Sequence, residues 1–392
     1  MTFHKEPSKD APPAYEPSPL LNKAIDDAKA LREATSGIRT DKKTLIQIIP
    51  GASLHPGHMA LLQQTYTQLY QRDLEDDIRG HIPSDFKDTI LGMIKGQVWS
   101  DVKRLEELIY EPLDTKRVFA FCEIIFYRTP AKLREIKQLY EEKNSEPLAE
   151  YVRRRCWYGH TAELLVKCLE TSRCEDGTDA LDTASIRADT QLLHQGIWCQ
   201  GKEDMEYVSG ILASSSRERL IALQDEFEAV YHVKLRKYAK EKTTGTLQLA
   251  LRLLLAWAED PIQFARDCLV KLLPVENGKA ERSAITHTMV WAHWNRTIFE
   301  TGKMRLRYTT STDVRTELRK GLYDDSYREL ILKIAQVDYH AIAQSRIMPA
   351  SRLPANRHQT RAGYQKRNGC GNARAAELRE GQLLDTREES PA

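Results

Sequence analysis

The sequence predicts an all-α chain built from a repeated helical unit. Three observations lead there. Apolar residues recur at helical spacing through the middle of the chain, strand-like alternation is scarce, and one four-spaced row of residues returns several times. Leu45, Ile46, Ile48 and Ile49 mark one helix face, Leu133, Ile136 and Tyr140 a second, and Leu220, Leu223 and Phe227 a third. Tyr66, Tyr70, Leu74 and Ile78 form the row that repeats. It returns 74 residues on as Tyr140, Asn144, Leu148 and Val152, then 87 further as Phe227, Tyr231, Leu235 and Ala239. A last step of 79 gives Leu306, Thr310, Val314 and Leu318. Asn144 and Thr310 show that the repetition is degraded.

Taken in order, residues 1–20 hold Pro7, Pro12, Pro13, Pro17 and Pro19 and read as a disordered lead. Repeat 1 spans 21–95 and repeat 2 spans 96–170. The extra length before the third unit falls at 171–183, where Glu175-Asp176-Gly177 reads as an exposed linker. Repeats 3 and 4 follow at 184–258 and 259–340. Residues 341–392 read as a second disordered tail. Arg346, Arg352, Arg357, Arg361, Lys366, Arg367 and Arg374 make it locally cationic, and Pro349 and Pro354 break any helix.

Composition narrows the function classes. The chain has 392 residues, 41% hydrophobic and 29% charged, as in soluble globular proteins. Fifty-eight basic against 56 acidic residues leave a net charge of +2, so nucleic acid is not an expected partner of the whole chain. Seven scattered cysteines without a C-x-x-C pair give no disulfide or zinc framework. The polar start lacks the apolar core of a signal peptide, and the apolar run from Leu247 to Ala258 is interrupted by Arg252. A cytoplasmic, reducing compartment is the expectation. No hydrolase elbow, phosphate-binding loop or dinucleotide fingerprint is present, so no enzyme is expected.

Thr40-Asp41-Lys42-Lys43-Thr44-Leu45-Ile46 is followed by Tyr66-x3-Tyr70-Gln71-Arg72-Asp73-Leu74-Glu75-Asp76-Asp77-Ile78 and Ser84-Asp85-Phe86. This resembles the annexin repeat. Arg128 to Glu142 in the second unit is similar as well, and the likeness extends more weakly over residues 21–340. The resemblance implies four repeats of about five helices each in a curved disc. It also implies a convex face that carries calcium loops and docks on anionic phospholipid.

The resemblance further implies a G-x-G-T calcium loop in each repeat and an acidic ligand about forty residues later. Calcium takes about 6–8 oxygen ligands. The acidic positions hold His81, Arg155, Lys242 and Gly321, none of them a carboxylate. The loops read Gly37-Ile38-Arg39-Thr40, Pro112-Leu113-Asp114-Thr115, Gln200-Gly201-Lys202-Glu203 and Glu276-Asn277-Gly278-Lys279. Gly37, Ile38, Thr40 and Gly201 are remnants. No cofactor is therefore expected beyond a weak calcium site, for which Asp85, Glu241, Asp324 and Asp325 are the nearby acids. The partner expected instead is an anionic membrane, met without calcium or with only weak dependence on it by Arg39, Arg153, Arg154, Arg155, Trp157, Tyr158, Trp198 and Lys202. The bland alternative is that the arginines finish a helix and the tryptophans are buried. A scaffold acting through its tails and a tail that binds RNA or an acidic partner are the other readings.

Weaker signals read as structure. His55-Pro56-Gly57-His58 is taken as a surface turn and Trp291-Ala292-His293-Trp294 as core. Cys122, Cys168 and Cys268 are taken as buried thiols, and Glu75, Asp76 and Asp77 as a solvated helix face. Cys370, in the tail, is the thiol expected to be open to modification.

Overall fold

The computed structural model describes residues 18–336 except 56, 81, 110–113, 156–158, 172, 176, 178–180, 274–280 and 324. Among the described residues there are twenty α-helices and no strand, in four sets of five. The first set is α1 (Pro19–Ser36), α2 (Lys42–Leu54), α3 (His58–Tyr70), α4 (Leu74–Arg79) and α5 (Ser84–Lys95). The second is α6 (Gln97–Ile109), α7 (Thr115–Tyr127), α8 (Pro130–Asn144), α9 (Leu148–Arg155) and α10 (His160–Glu170). The third is α11 (Thr183–Cys199), α12 (Lys202–Ser214), α13 (Arg217–Tyr231), α14 (Leu235–Lys242) and α15 (Gly245–Glu259). The fourth is α16 (Pro261–Leu272), α17 (Arg282–Trp294), α18 (Arg296–Thr310), α19 (Val314–Gly321) and α20 (Asp325–Ile334).

The repeat is written into the chain ends of these helices. The fourth helix of each set is short, with 6, 8, 8 and 8 residues. The third helix always stops at a left-handed residue: Gln71, Ser145, His232 and Ser311, with φ of 53°, 56°, 57° and 56°. Each of these donates its N–H to the carbonyl four residues back, which closes the helix. One turn before each stop lies a repeat-row residue, Tyr66, Tyr140, Phe227 or Leu306, none more than 2% exposed.

Two cores result. One gathers the second and third sets with Phe264 and Cys268 of α16, and the other gathers the first set and the rest of the fourth. Tyr127 packs against both. Its ring stacks on Phe264 at 5.2 Å and meets Trp291 edge-on at 5.3 Å, and its hydroxyl donates to the Pro261 carbonyl at 2.9 Å. Beside it, buried Asp101 takes two 2.7 Å hydrogen bonds from Arg128 and lies 2.8 Å from His287 Nε2.

Three expectations need correction. Helix α1 starts inside the region read as a disordered lead, because Ser18 caps it by accepting from the Leu21 N–H at 3.3 Å. The rest of both tails, Cys370 included, lies outside the described residues. The stretch read as an exposed linker is anchored. Arg173 is buried, donates to the Phe126 carbonyl at 3.1 Å, and lies 4.5 Å over the Trp257 ring. His58 is no surface residue: it is buried, with Nε2 3.2 Å from Asp27 Oδ2, and burial lowers its pKa.

Candidate membrane-docking loops

In the first and fourth sets, the start of the second helix meets the start of the fifth. Lys42, at the start of α2, lies over the Phe86 ring near the start of α5 at 5.8 Å. Arg282, at the start of α17, lies over Tyr327 near the start of α20 at 5.0 Å. Polar contacts tie these ends together between sets. Asp85 pairs with Arg282 at 3.2 Å, Arg104 with Glu281 at 3.0 Å, and the Thr161 and Thr246 hydroxyls lie 2.9 Å apart. Contacts of this kind join the first set to the fourth, the fourth to the second and the second to the third.

The third set is the most fully described. Helix α11 ends where Gln200 turns left-handed, at φ 51°. Gly196 lets α12 close in, since a Cβ there would meet Val208 Cγ2 at 2.5 Å and the Asp204 carbonyl at 2.9 Å. That closure brings the Gln200 carboxamide to the end of α14, where it donates to the Lys242 carbonyl at 2.6 Å. The Gln248 carboxamide donates to the Lys240 carbonyl at 2.7 Å and the Thr243 carbonyl at 2.8 Å. Helix-end carbonyls that could face a cation are therefore taken by N–H donors. The Lys242 ammonium lies 3.9 Å over the Trp198 ring and 5.9 Å from Tyr238. Tyr238 stacks on His194 at 5.0 Å, and burial followed by the Lys242 charge lowers the His194 pKa. Trp198 is 60% exposed, which decides against its burial.

At the first set, Ile38 is 98% exposed at the tip of the loop and Arg39 is exposed beside it, with Gly37 exposed and Thr40 half-buried. Asp41 is committed to capping α2, accepting from the Lys43 N–H at 3.0 Å and the Thr44 hydroxyl at 2.7 Å. The Thr44 bond is the main reason its carboxyl is held below the ordinary range. In the fourth set α19 ends at Gly321, and Tyr323 is 86% exposed in the loop that follows.

The second set departs from expectation. Arg153 is paired with Glu150 and Glu170, and Arg154 with Glu146 at 2.5 Å while lying 5.4 Å over Tyr151. Their charges are answered within the protein, so the structure does not present them as free cations. Trp157, Tyr158 and the Arg155 side chain lie outside the described residues, as do His81 and Asp324. Of the expected residues, the structure brings Trp198, Gly201 and Lys202 together in the third set and Gly37, Ile38, Arg39 and Thr40 together in the first. Lys242, Gln200, Gln248 and Tyr323 join them. Sequence spacing marks only Lys242, since Gln200 reaches its partner across 42 residues.

Two of the four nearby acids are engaged elsewhere. Asp85 faces Arg282 and Glu241 lies 3.8 Å from Lys237. Among the described residues no group of three or more His, Cys, Asp or Glu is placed to hold a metal, and no helix is long and apolar enough to cross a membrane.

Four sets of five helices, with side-chain cations, aromatic rings and apolar tips at their loop ends, define an all-α repeat protein. Comparison with known proteins places this fold. The annexin family model matches residues 26–93. Human annexin A4 is 26% identical over 231 residues, which is 58% of this chain and 69% of that protein. Mouse annexin A5 is 28% identical over 225 residues, 57% of this chain and 68% of that protein. Among solved structures, annexin III aligns with a TM-score of 0.69 and 18% identity over 80% of this chain and 94% of that one. Chicken annexin V in complex with Zn2+ gives 0.65 and 22% over 80% and 95%. Calcium-bound annexin (Sm)1 gives 0.64 and 15% over 80% and 91%. The chain is thus similar to annexins in sequence over part of its length and in fold over most of it, and that family is known for calcium-dependent phospholipid binding.

Proposed function

We propose that this chain is a peripheral protein that docks on anionic phospholipid through its loop ends without needing calcium. The docking unit is the segment 21–340, divided at the boundaries given by the repeat. One observation carries the reading. At the third loop end an ammonium, that of Lys242, stands at the acidic position, and carboxamide N–H groups cover the neighbouring carbonyls. Calcium needs oxygen ligands there, and this donor set offers it few. Arg39 and Lys202 add exposed positive charge, each worth about 1 kcal/mol near an anionic leaflet. Trp198, Tyr323 and Ile38 supply surface suited to the headgroup boundary. The free, buried thiols Cys122, Cys168 and Cys268 suit a reducing, cytoplasmic setting.

The test is co-sedimentation with phosphatidylserine vesicles in chelator and in millimolar calcium. Equal binding in both is expected, with loss at high salt. Binding only with calcium would reject the proposal, and binding in neither would favour a scaffold that keeps the fold alone.

A further inference from the structure

We infer that Lys242 is a tethered stand-in for a divalent ion, contacting the phospholipid headgroup anion directly with the Trp198 ring as its platform. The inference rests on the docking function proposed above and names the group that makes the contact. Three features single this lysine out from the other cations of the chain.

First, no carboxylate pairs with its ammonium among the described residues, whereas Arg153, Arg154, Lys95 and Lys103 each have one. Its N–H donors away from the ring remain available for an anion. Second, its position is fixed from both sides. The ring holds the ammonium at 3.9 Å, and the Gln200 carboxamide holds the backbone of the same residue at 2.6 Å. A long side chain that is already ordered loses little freedom when a ligand arrives. Third, the surroundings are positive and partly apolar. Lys202 and Lys240 are exposed nearby without carboxylate partners among the described residues, and Trp198 is exposed at the same edge.

A divalent ion would need oxygen ligands from the protein to hold it here against a lipid headgroup. A lysine needs no protein oxygens for that task, since it brings its own charge to the lipid. The carboxamides fit this arrangement: the Lys240, Lys242 and Thr243 carbonyls take their donors from Gln200 and Gln248.

The experiment compares the native full chain with Lys242→Gln and Lys242→Arg, binding to phosphatidylserine vesicles in chelator and to neutral phosphatidylcholine vesicles as the blank. Losing about 1 kcal/mol of charge attraction corresponds to about a fivefold weaker Kd for Lys242→Gln. Lys242→Arg keeps native affinity, and the thermal midpoints of all three agree. Native binding with an unchanged Lys242→Gln would overturn this inference and leave the docking function standing. A native chain that fails to bind in chelator would overturn both. Equal losses for Lys242→Gln and Lys242→Arg would also overturn it, because the side chain would then matter for shape and not for charge.

Discussion

Asp101 shows how much of this protein rests on single buried groups. Burial raises its carboxyl pKa, but the charge and hydrogen bonds of Arg128, with His287, more than offset that and hold it below the ordinary range. Removing one partner strands the other in the interior. Arg128→Ala is expected to cost about 3–5 kcal/mol, read from the shift of the urea unfolding midpoint. His293 works with the opposite charge. It is fully buried with Nε2 2.8 Å from the Ser53 hydroxyl, and burial, then Arg296, lowers its pKa from 6.5 to about 3. The unfolded chain therefore binds a proton that the folded chain refuses, so stability is intact above pH 6.5 and falls as the pH drops toward 3. The loss from this residue between pH 7 and pH 5 is about 2 kcal/mol, and His293→Gln should flatten that part of the profile measured by urea titration. Little of this was legible in the sequence. Asp77 reads as part of a solvated face, yet it is buried, accepting from Tyr66 at 2.7 Å and pairing with Arg72 at 2.5 Å and Arg32 at 2.9 Å. Local charge runs do not reveal a partner 45 residues away.

At the scale of the element the sequence was far more readable. Helix faces follow from apolar spacing, and Trp291 and His293 are core as their helix predicts. Trp294 adds an indole N–H donated to the Gly92 carbonyl at 3.2 Å. The helix starts obey ordinary capping chemistry, with Asp73, Asp114, Thr129, Asp182, Ser216 and Asp313 each accepting from a backbone N–H of the following turn. The stops are different. Gln71, Ser145, His232 and Ser311 all adopt a left-handed turn without being glycine, so residue type gave no warning. Their spacing, however, equals that of the apolar rows, so the period is legible in sequence although the turns are not. The anchoring of the inter-repeat stretch by Arg173 was hidden for the reason that hid Asp77: its acceptors lie on α7, in another element.

At the scale of the whole molecule the pairing of sets is the property least available to sequence. The first and fourth sets share a core although Asp85 and Arg282 stand 197 residues apart, and no periodicity says which repeats touch. Among the described residues Tyr127 is the side chain common to both cores, so it should couple their unfolding. Tyr127→Ala is expected to turn one calorimetric transition into two overlapping ones, since a large aromatic lost at a junction removes contacts from both sides. A single transition at lower temperature would place the coupling elsewhere, in the Asp101–Arg128–His287 cluster for instance.

The ammonium lodged on Trp198 has a consequence for how such a protein could be regulated. An ion recruited from solution can be withdrawn, so a loop that depends on one tracks the ion's concentration. A cation that is part of the chain is always present. What can change is the charge of the surface it meets and the salt that screens it. If docking runs through this loop as proposed, what it senses is the composition of the leaflet, and its release follows the removal of anionic headgroups from that leaflet.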